Sequence, residues 1–107
     1  MTTTQIETAD QFTETIETGV TVVDFWAEWC GPCRAYAPAF NAAATETPSA
    51  AFVKVNVDQL PGIAATHGVK SIPTTIIFKD GVAVDRIVGA VPARTLTETV
   101  EKALHAG

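Results

Sequence analysis

The sequence predicts an α/β fold: a central mixed sheet, with parallel and antiparallel pairs together, flanked by helices. Three observations carry that expectation. The run GVTVVDFW at 19–26 is too uniformly apolar and β-branched for a strand with one wet face, and suits a strand covered by helices on both sides. Helix-favouring segments separate it from the next apolar run, which gives the alternation of a βαβ unit. In the second half, two β-rich runs surround Asp80-Gly81, the turn pair of a hairpin. With 107 residues, 47% of them hydrophobic and 18% charged, the chain is expected to form one domain over 1–107 with an ordinary core.

The elements follow in order. Thr8, Asp10 and Gln11 supply cap-type residues before Phe12 and Ile16, whose spacing places both on one face of a helix near 10–17, with Gly19 ending it. GVTVVDFW is then the central strand. From Cys33 onward RAYAPAFNAAAT favours helix, Pro38 should kink it, and Pro48 closes the segment. AFVKVNV, 51–57, reads as a second buried strand, and Leu60 to His67 hold at most a short helix before Gly68. TTIIFK (74–79) and VAVDRIV (82–88) form the hairpin. Leu96, Val100, Ala103 and Leu104 mark the inner face of a last helix, opened by Pro92 where a missing N–H does little harm.

A formal net charge of -5 argues against nucleic acid or an anionic membrane as the main partner. The opening MTTTQIETADQF has neither a basic nor an apolar leader segment, and no run is long enough to span a bilayer. A reducing cytoplasm is the expected compartment. Only Cys30 and Cys33 are present, so a disulfide framework is excluded, and a lone CxxC in such a chain points to redox chemistry.

WCGPC admits three readings: metal clamp, staple or reagent. Beyond the cysteines the chain offers only His67 and His105 as further nitrogen ligands, with no second CxxC and no HxxxH, so no metal is expected. A bridge closing so short a loop restricts the unfolded chain little. The reagent remains. If a helix begins near Cys30, its free N–H groups and positive end favour an anionic sulfur there, and the Cys30 thiol should ionise more readily than a free cysteine. Cys33, one turn inside and less exposed, should keep its proton. Cys30 at the surface would attack a substrate disulfide, and Cys33 would then resolve the mixed disulfide. Pro32 adds no charge, which favours a reductant.

Two further features sit in strands. Asp24 interrupts an apolar run, where burial should raise its pKa. Lys54 could face it from a neighbouring strand, either as a buried structural ion pair or beside a general base that takes the Cys33 proton; the second reading is favoured. In Ser71-Ile72-Pro73-Thr74, proline precedes an interior strand, so it belongs at a turn, and a cis bond is one way to make it.

VDFWAEWCGPCR with APAF after it, KVNVD, GVKSIPTTIIFKDG and IVGA, in this order, resemble the thioredoxin family over essentially the whole chain. The resemblance implies that fold, with about five strands and about four helices. It implies Cys30 as nucleophile, Cys33 as resolving thiol, Asp24 as buried acid–base group with Lys54 beside it, and a cis Pro73 against the cysteines. Trp29, Gly31, Pro32, Ile72, Val88, Gly89 and Ala90 would form a flat docking face, although Val88 could equally be ordinary strand packing and Gly89-Ala90 a mere loop. No cofactor would be bound; electrons would come from NADPH through a flavin-containing thioredoxin reductase. Ribonucleotide reductase, methionine sulfoxide reductase and peroxiredoxin are family partners, and a monomer is expected. Arg34 stands where lysine is frequent and should keep a cation near Cys33. Tyr36 replaces a usual aliphatic, Ser71 a small or basic residue, His67 an aromatic and Pro92 a capping hydroxyl; His67 is expected at the surface without a catalytic role. A disulfide oxidase or isomerase is disfavoured by Pro32 and the absent export signal. A redox-silent adaptor is disfavoured by the cysteines and Asp24 occurring together.

Overall fold

β-Branched and aromatic residues crowd the stretch Val20–Trp26, and in the computed structural model of the chain it forms the middle strand of a five-stranded sheet. The structure describes residues 3–106, so residues 1, 2 and 107 of the expected 1–107 domain lie outside it. In chain order the elements are β1 Thr3–Gln5, α1 Ala9–Ile16, β2 Val20–Trp26, α2 Gly31–Glu46, β3 Ala51–Asn56, α3 Pro61–Thr66, β4 Thr74–Lys79, β5 Val82–Val88 and α4 Ala93–His105. The sheet order is β1-β3-β2-β4-β5. β3 runs parallel to both β1 and β2, whereas β4 is antiparallel to β2 and to β5, so the sheet is mixed as expected.

Alternation along the strands divides the core in two. Val23, Phe25, Val53, Val55, Ile76 and Phe78 point to one face, where Phe12 and Ile16 of α1 and Ile63 and Ala64 of α3 cover them. Val20, Val22, Phe52 and Ile77 point to the other, under Tyr36, Phe40, Ala43 and Ala44 of α2 and Leu96, Val100 and Ala103 of α4. The Ala-rich stretch of α2 is thus a packing surface that lets it sit close to sheet and α4. Burying each large apolar side chain contributes about 1.5–3 kcal/mol, which outweighs any one helix's modest propensity.

Local chemistry sets the ends. Thr8 caps α1 by accepting from the Gln11 N–H at 3.0 Å. Helix α2 continues through Pro38 to Glu46. Asp80 and Gly81 take φ of 51° and 86°, the positive pair that a tight hairpin turn demands, and the Asp80 carboxylate accepts the Gly19 N–H at 2.8 Å. Pro92 is the N-cap of α4 and leaves it without a side-chain cap. On the open edge, the pairing shifts register at Ile77/Phe78, and the Asp85 carboxylate accepts the Arg86 N–H at 2.8 Å, which interrupts the row of donors a second chain could zip onto.

One expectation is corrected here. His67 is not a free surface residue: its ring packs against Phe12 at 5.5 Å and Phe78 at 5.2 Å, and burial holds its pKa below the ordinary value. An imidazole has enough apolar body to close a gap between two aromatic rings.

Candidate active site

Strand β2 ends at Trp26, and Ala27 to Trp29 turn the chain into α2. Cys30 is the N-cap of that helix, with Gly31 and Pro32 in its first turn. Its Sγ does what an N-cap oxygen ordinarily does and accepts the Cys33 N–H at 3.1 Å. The two sulfurs are joined as a disulfide, with Cα atoms 5.2 Å apart. Both are nearly covered, Cys30 at 4% and Cys33 at 2%. The expected contrast between a surface Cys30 and a hidden Cys33 is therefore small in this oxidised form. Ala27, Trp26, Val57 and Ile72 close around the pair and take up the surface that an open turn would have left.

The rim around the sulfurs comes from separate loops. The Ile72–Pro73 bond is cis, and the Ile72 carbonyl oxygen lies 3.8 Å from Sγ of Cys30. The Gly89 N–H donates to the Pro73 carbonyl at 2.8 Å, which ties the end of β5 to that loop. Trp29 is 68% exposed and Val88 63%, and Gly31, Pro32 and Ala90 are exposed as well. A cleft of about 320 Å³ beside this rim is lined by Trp29, Val57, Val69, Lys70, Ser71 and Ile72. The Trp29 ring is held by its Nε1–H, which donates to Asp58 at 2.8 Å. Asn56 Oδ1 accepts the N–H groups of Asp58 and Gln59, shaping the turn that presents Asp58. Arg34 reaches back to the Glu28 carbonyl at 2.7 Å rather than toward a sulfur, so its cation braces the turn.

Asp24 and Lys54 are opposite one another in the parallel pairing of β2 and β3, which puts both on the α2 side of the sheet. Asp24 is fully buried, and Lys54 Nζ stands 3.7 Å from its carboxylate. At that distance the contact is Coulombic, and neither carboxylate oxygen has a hydrogen-bond partner within the protein. Burial pushes the Asp24 carboxyl up to about 6, and the Lys54 charge only partly offsets it. Lys54 in turn lies 5.1 Å from the centre of the Trp26 ring, which helps hold the ammonium in place. Among the described residues no group of three or more His, Cys, Asp or Glu side chains could hold a metal ion.

The sequence reading missed two contacts that bear on the site. One is Asp58 on Trp29. The other joins Tyr36 of α2 to Thr75 of β4, hydroxyl to hydroxyl, at 2.8 Å. Tyr36 had stood out only as an unusual residue, and Thr75 as a strand former.

The sequence model of the thioredoxin family matches residues 3–102. "Thioredoxin 1" of Synechococcus elongatus is 50% identical over 93 residues, spanning 85% of this chain and 87% of that protein. The chain belongs to the thioredoxin family. Among solved structures, a mutant thioredoxin from Halobacterium salinarum superposes with a TM-score of 0.91 at 28% identity, covering 98% of this chain and 93% of that one. A chain from a study of thiol resolution in yeast mitochondrial 1-Cys peroxiredoxin via glutathione/thioredoxin systems gives 0.86 at 31% identity, covering 92% and 93%. The five-stranded mixed sheet with four helices is the thioredoxin fold. As a thioredoxin the protein is a dithiol–disulfide oxidoreductase, a protein-disulfide reductase whose redox-active pair is Cys30–Cys33.

Proposed function

We propose that this thioredoxin is a general reductant of protein disulfides that works through its CGPC motif and a mixed-disulfide intermediate. Cys30 attacks one sulfur of the substrate disulfide; that bond breaks, and the departing sulfur takes up a proton. Cys33 then attacks Cys30, the substrate's second sulfur leaves as a thiol, and the Cys30–Cys33 bond re-forms. Asp24 takes the Cys33 proton, directly or through a water, with Lys54 limiting how far burial raises it. An Asp24 carboxyl pushed up to about 6 suits that role, since it stays an anion at neutral pH yet binds a proton readily. Gly31 and Pro32 shape the turn. Trp29, Ile72, cis Pro73, Val88, Gly89 and Ala90 form the face on which an extended substrate segment lies.

The observation that carries this reading is the Cys33 N–H aimed at Sγ of Cys30 at the start of α2. A sulfur so placed is an anion site once the bond is open. We take the chain to act as a single domain, 1–107, and as a monomer in the cytoplasm, with no cofactor of its own. Its electrons come from NADPH through a flavin-containing thioredoxin reductase. Disulfide-bearing enzymes such as ribonucleotide reductase, methionine sulfoxide reductase and peroxiredoxin are its partners, and the similar chain from the yeast peroxiredoxin study supports the last. Among the described residues no helix is long and apolar enough to cross a membrane.

The test is reduction of insulin disulfides by NADPH and a cognate reductase, with release from the mixed disulfide timed in rapid mixing. Turnover is expected, and Asp24→Asn should slow release near neutral pH while sparing attack by Cys30. An intact fold without turnover sinks the reading, and an unaltered release rate removes Asp24 from the mechanism.

A further inference from the structure

The polar strip on the α2 side of the sheet extends beyond its two charges. Asp24 stands opposite Lys54 on β3 and opposite Thr75 on β4, so the three side chains emerge in one row on one face. Across an antiparallel pair such neighbours have Cβ atoms about 4.5–5.5 Å apart. The Thr75 hydroxyl is bound in turn by the Tyr36 hydroxyl at 2.8 Å, and both residues are buried, Thr75 at 0% and Tyr36 at 1% exposure. Tyr36 follows Cys33 by one turn of α2, and both side chains face inward. One hydrogen-bonded link thus runs from the helix that carries the resolving cysteine to the position beside Asp24.

That position decides how well the carboxylate is tolerated. Neither Asp24 oxygen has a hydrogen-bond partner within the protein, so its ionised form depends on the dipoles and charges around it. From β3 it faces Lys54 and from β4 Thr75, with Tyr36 of α2 bonded to Thr75 on the same face; α4 adds the apolar Leu96, Val100, Ala103 and Leu104. Influence in the other direction is visible at Tyr36. Burial pushes its phenol up to about 12, with the Thr75 hydrogen bond opposing the rise and the Asp24 charge adding to it. Tyr36 therefore stays a neutral hydroxyl wherever Asp24 titrates.

We propose that the Tyr36–Thr75 hydroxyl pair is a positioning unit for Asp24, whose dipoles keep the carboxyl ionisable in a largely apolar layer and so available to Cys33 near neutral pH. This rests on the reading of Asp24 as the group that accepts the Cys33 proton. Replacing either hydroxyl with an apolar atom removes polar surroundings from a buried acid, and loss of polar surroundings disfavours the charged form.

The experiment is a carbon-13 NMR titration of the Asp24 carboxyl in the unmodified chain and in Tyr36→Phe, Thr75→Val and Thr75→Ser, paired with release rates from a mixed disulfide. Tyr36→Phe and Thr75→Val should raise the Asp24 midpoint by about half to one pH unit, and Thr75→Ser, which keeps the hydroxyl, should not. Near pH 6 release should slow about two- to fivefold in the first two variants and converge with the unmodified rate near pH 8. One midpoint shared by all four proteins overturns the proposal, as does a Thr75→Ser shift equal to that of Thr75→Val, because packing and not the hydroxyl would then be the cause. If Tyr36→Phe fails to fold, the valine–serine comparison at Thr75 decides alone. Shifted midpoints together with an unaltered release rate in Asp24→Asn would leave the ionisation assignment standing and remove the proton-accepting role beneath it.

Discussion

Strand β2 has two buried faces built on opposite terms. Toward α1 and α3 it presents Val23 and Phe25 to a cluster of aromatic and aliphatic side chains, at whose rim the His67 ring packs against Phe12 and Phe78. Toward α2 and α4 it presents Val22 and then Asp24, so the same strand breaks its apolar layer with a carboxylate, a lysine from β3 and a pair of hydroxyls. The difference separates two duties. One face devotes almost all of its area to apolar packing, with His67 as a half-buried filler at its rim; the other gives up part of its stability to keep a fully buried carboxyl beside the helix that bears the cysteines.

The contrast is broken most severely from the apolar side. Phe25→Ala should lower stability by about 3–5 kcal/mol, the range for an aromatic removed from a packed core, and by a similar amount near pH 4 and pH 8. Urea unfolding at both pH values checks this; a cost that changed strongly with pH would mean that the faces are not independent. Asp24→Asn should act the other way. The folded carboxyl titrates near 6 against an ordinary 3.8, so the folded chain holds a proton between those values that the unfolded chain has lost. Stability is therefore full below about pH 4 and falls as pH rises through about 6. Removing the charge should add about 2–3 kcal/mol near pH 8 and little near pH 4. Equal stability of the two proteins near pH 8 would show that Lys54 already neutralises the cost. The smallest effect belongs to the α1 cap, where Thr8→Ala should cost about 1 kcal/mol and leave insulin reduction untouched. A change in turnover there would couple the apolar face to the chemistry.

How much of this could be read from the residues depends on where the signal lay. The hairpin was legible with its boundaries because Asp80-Gly81 accepts positive φ at both positions and the flanking runs are rich in Val, Ile and Thr. The central strand was legible because a run without polar alternation has one home in such a sheet. β1 was not: Thr3–Gln5 is short and largely exposed, and only its pairing with β3 makes it a strand. The resemblance gave a count of about five strands without placing this one. At the site, the pairing of Asp24 with Lys54 followed from two charges in two buried runs. The near-equal burial of Cys30 and Cys33 did not, because Ile72 and Val57 arrive from distant segments. Tyr36–Thr75 was invisible for the same reason: Tyr36 is unusual and Thr75 ordinary, but neither names its partner, and the meaning lies in a contact across 39 positions.

The Cys33 N–H on Sγ of Cys30 has one more consequence. A donor that already points at the sulfur while the bond is closed needs no turning when that sulfur becomes an anion, and a fixed dipole of this kind costs no reorganisation at the moment of reaction. The first turn of α2 is thus already set to receive the charge that appears on Cys30 when the disulfide opens.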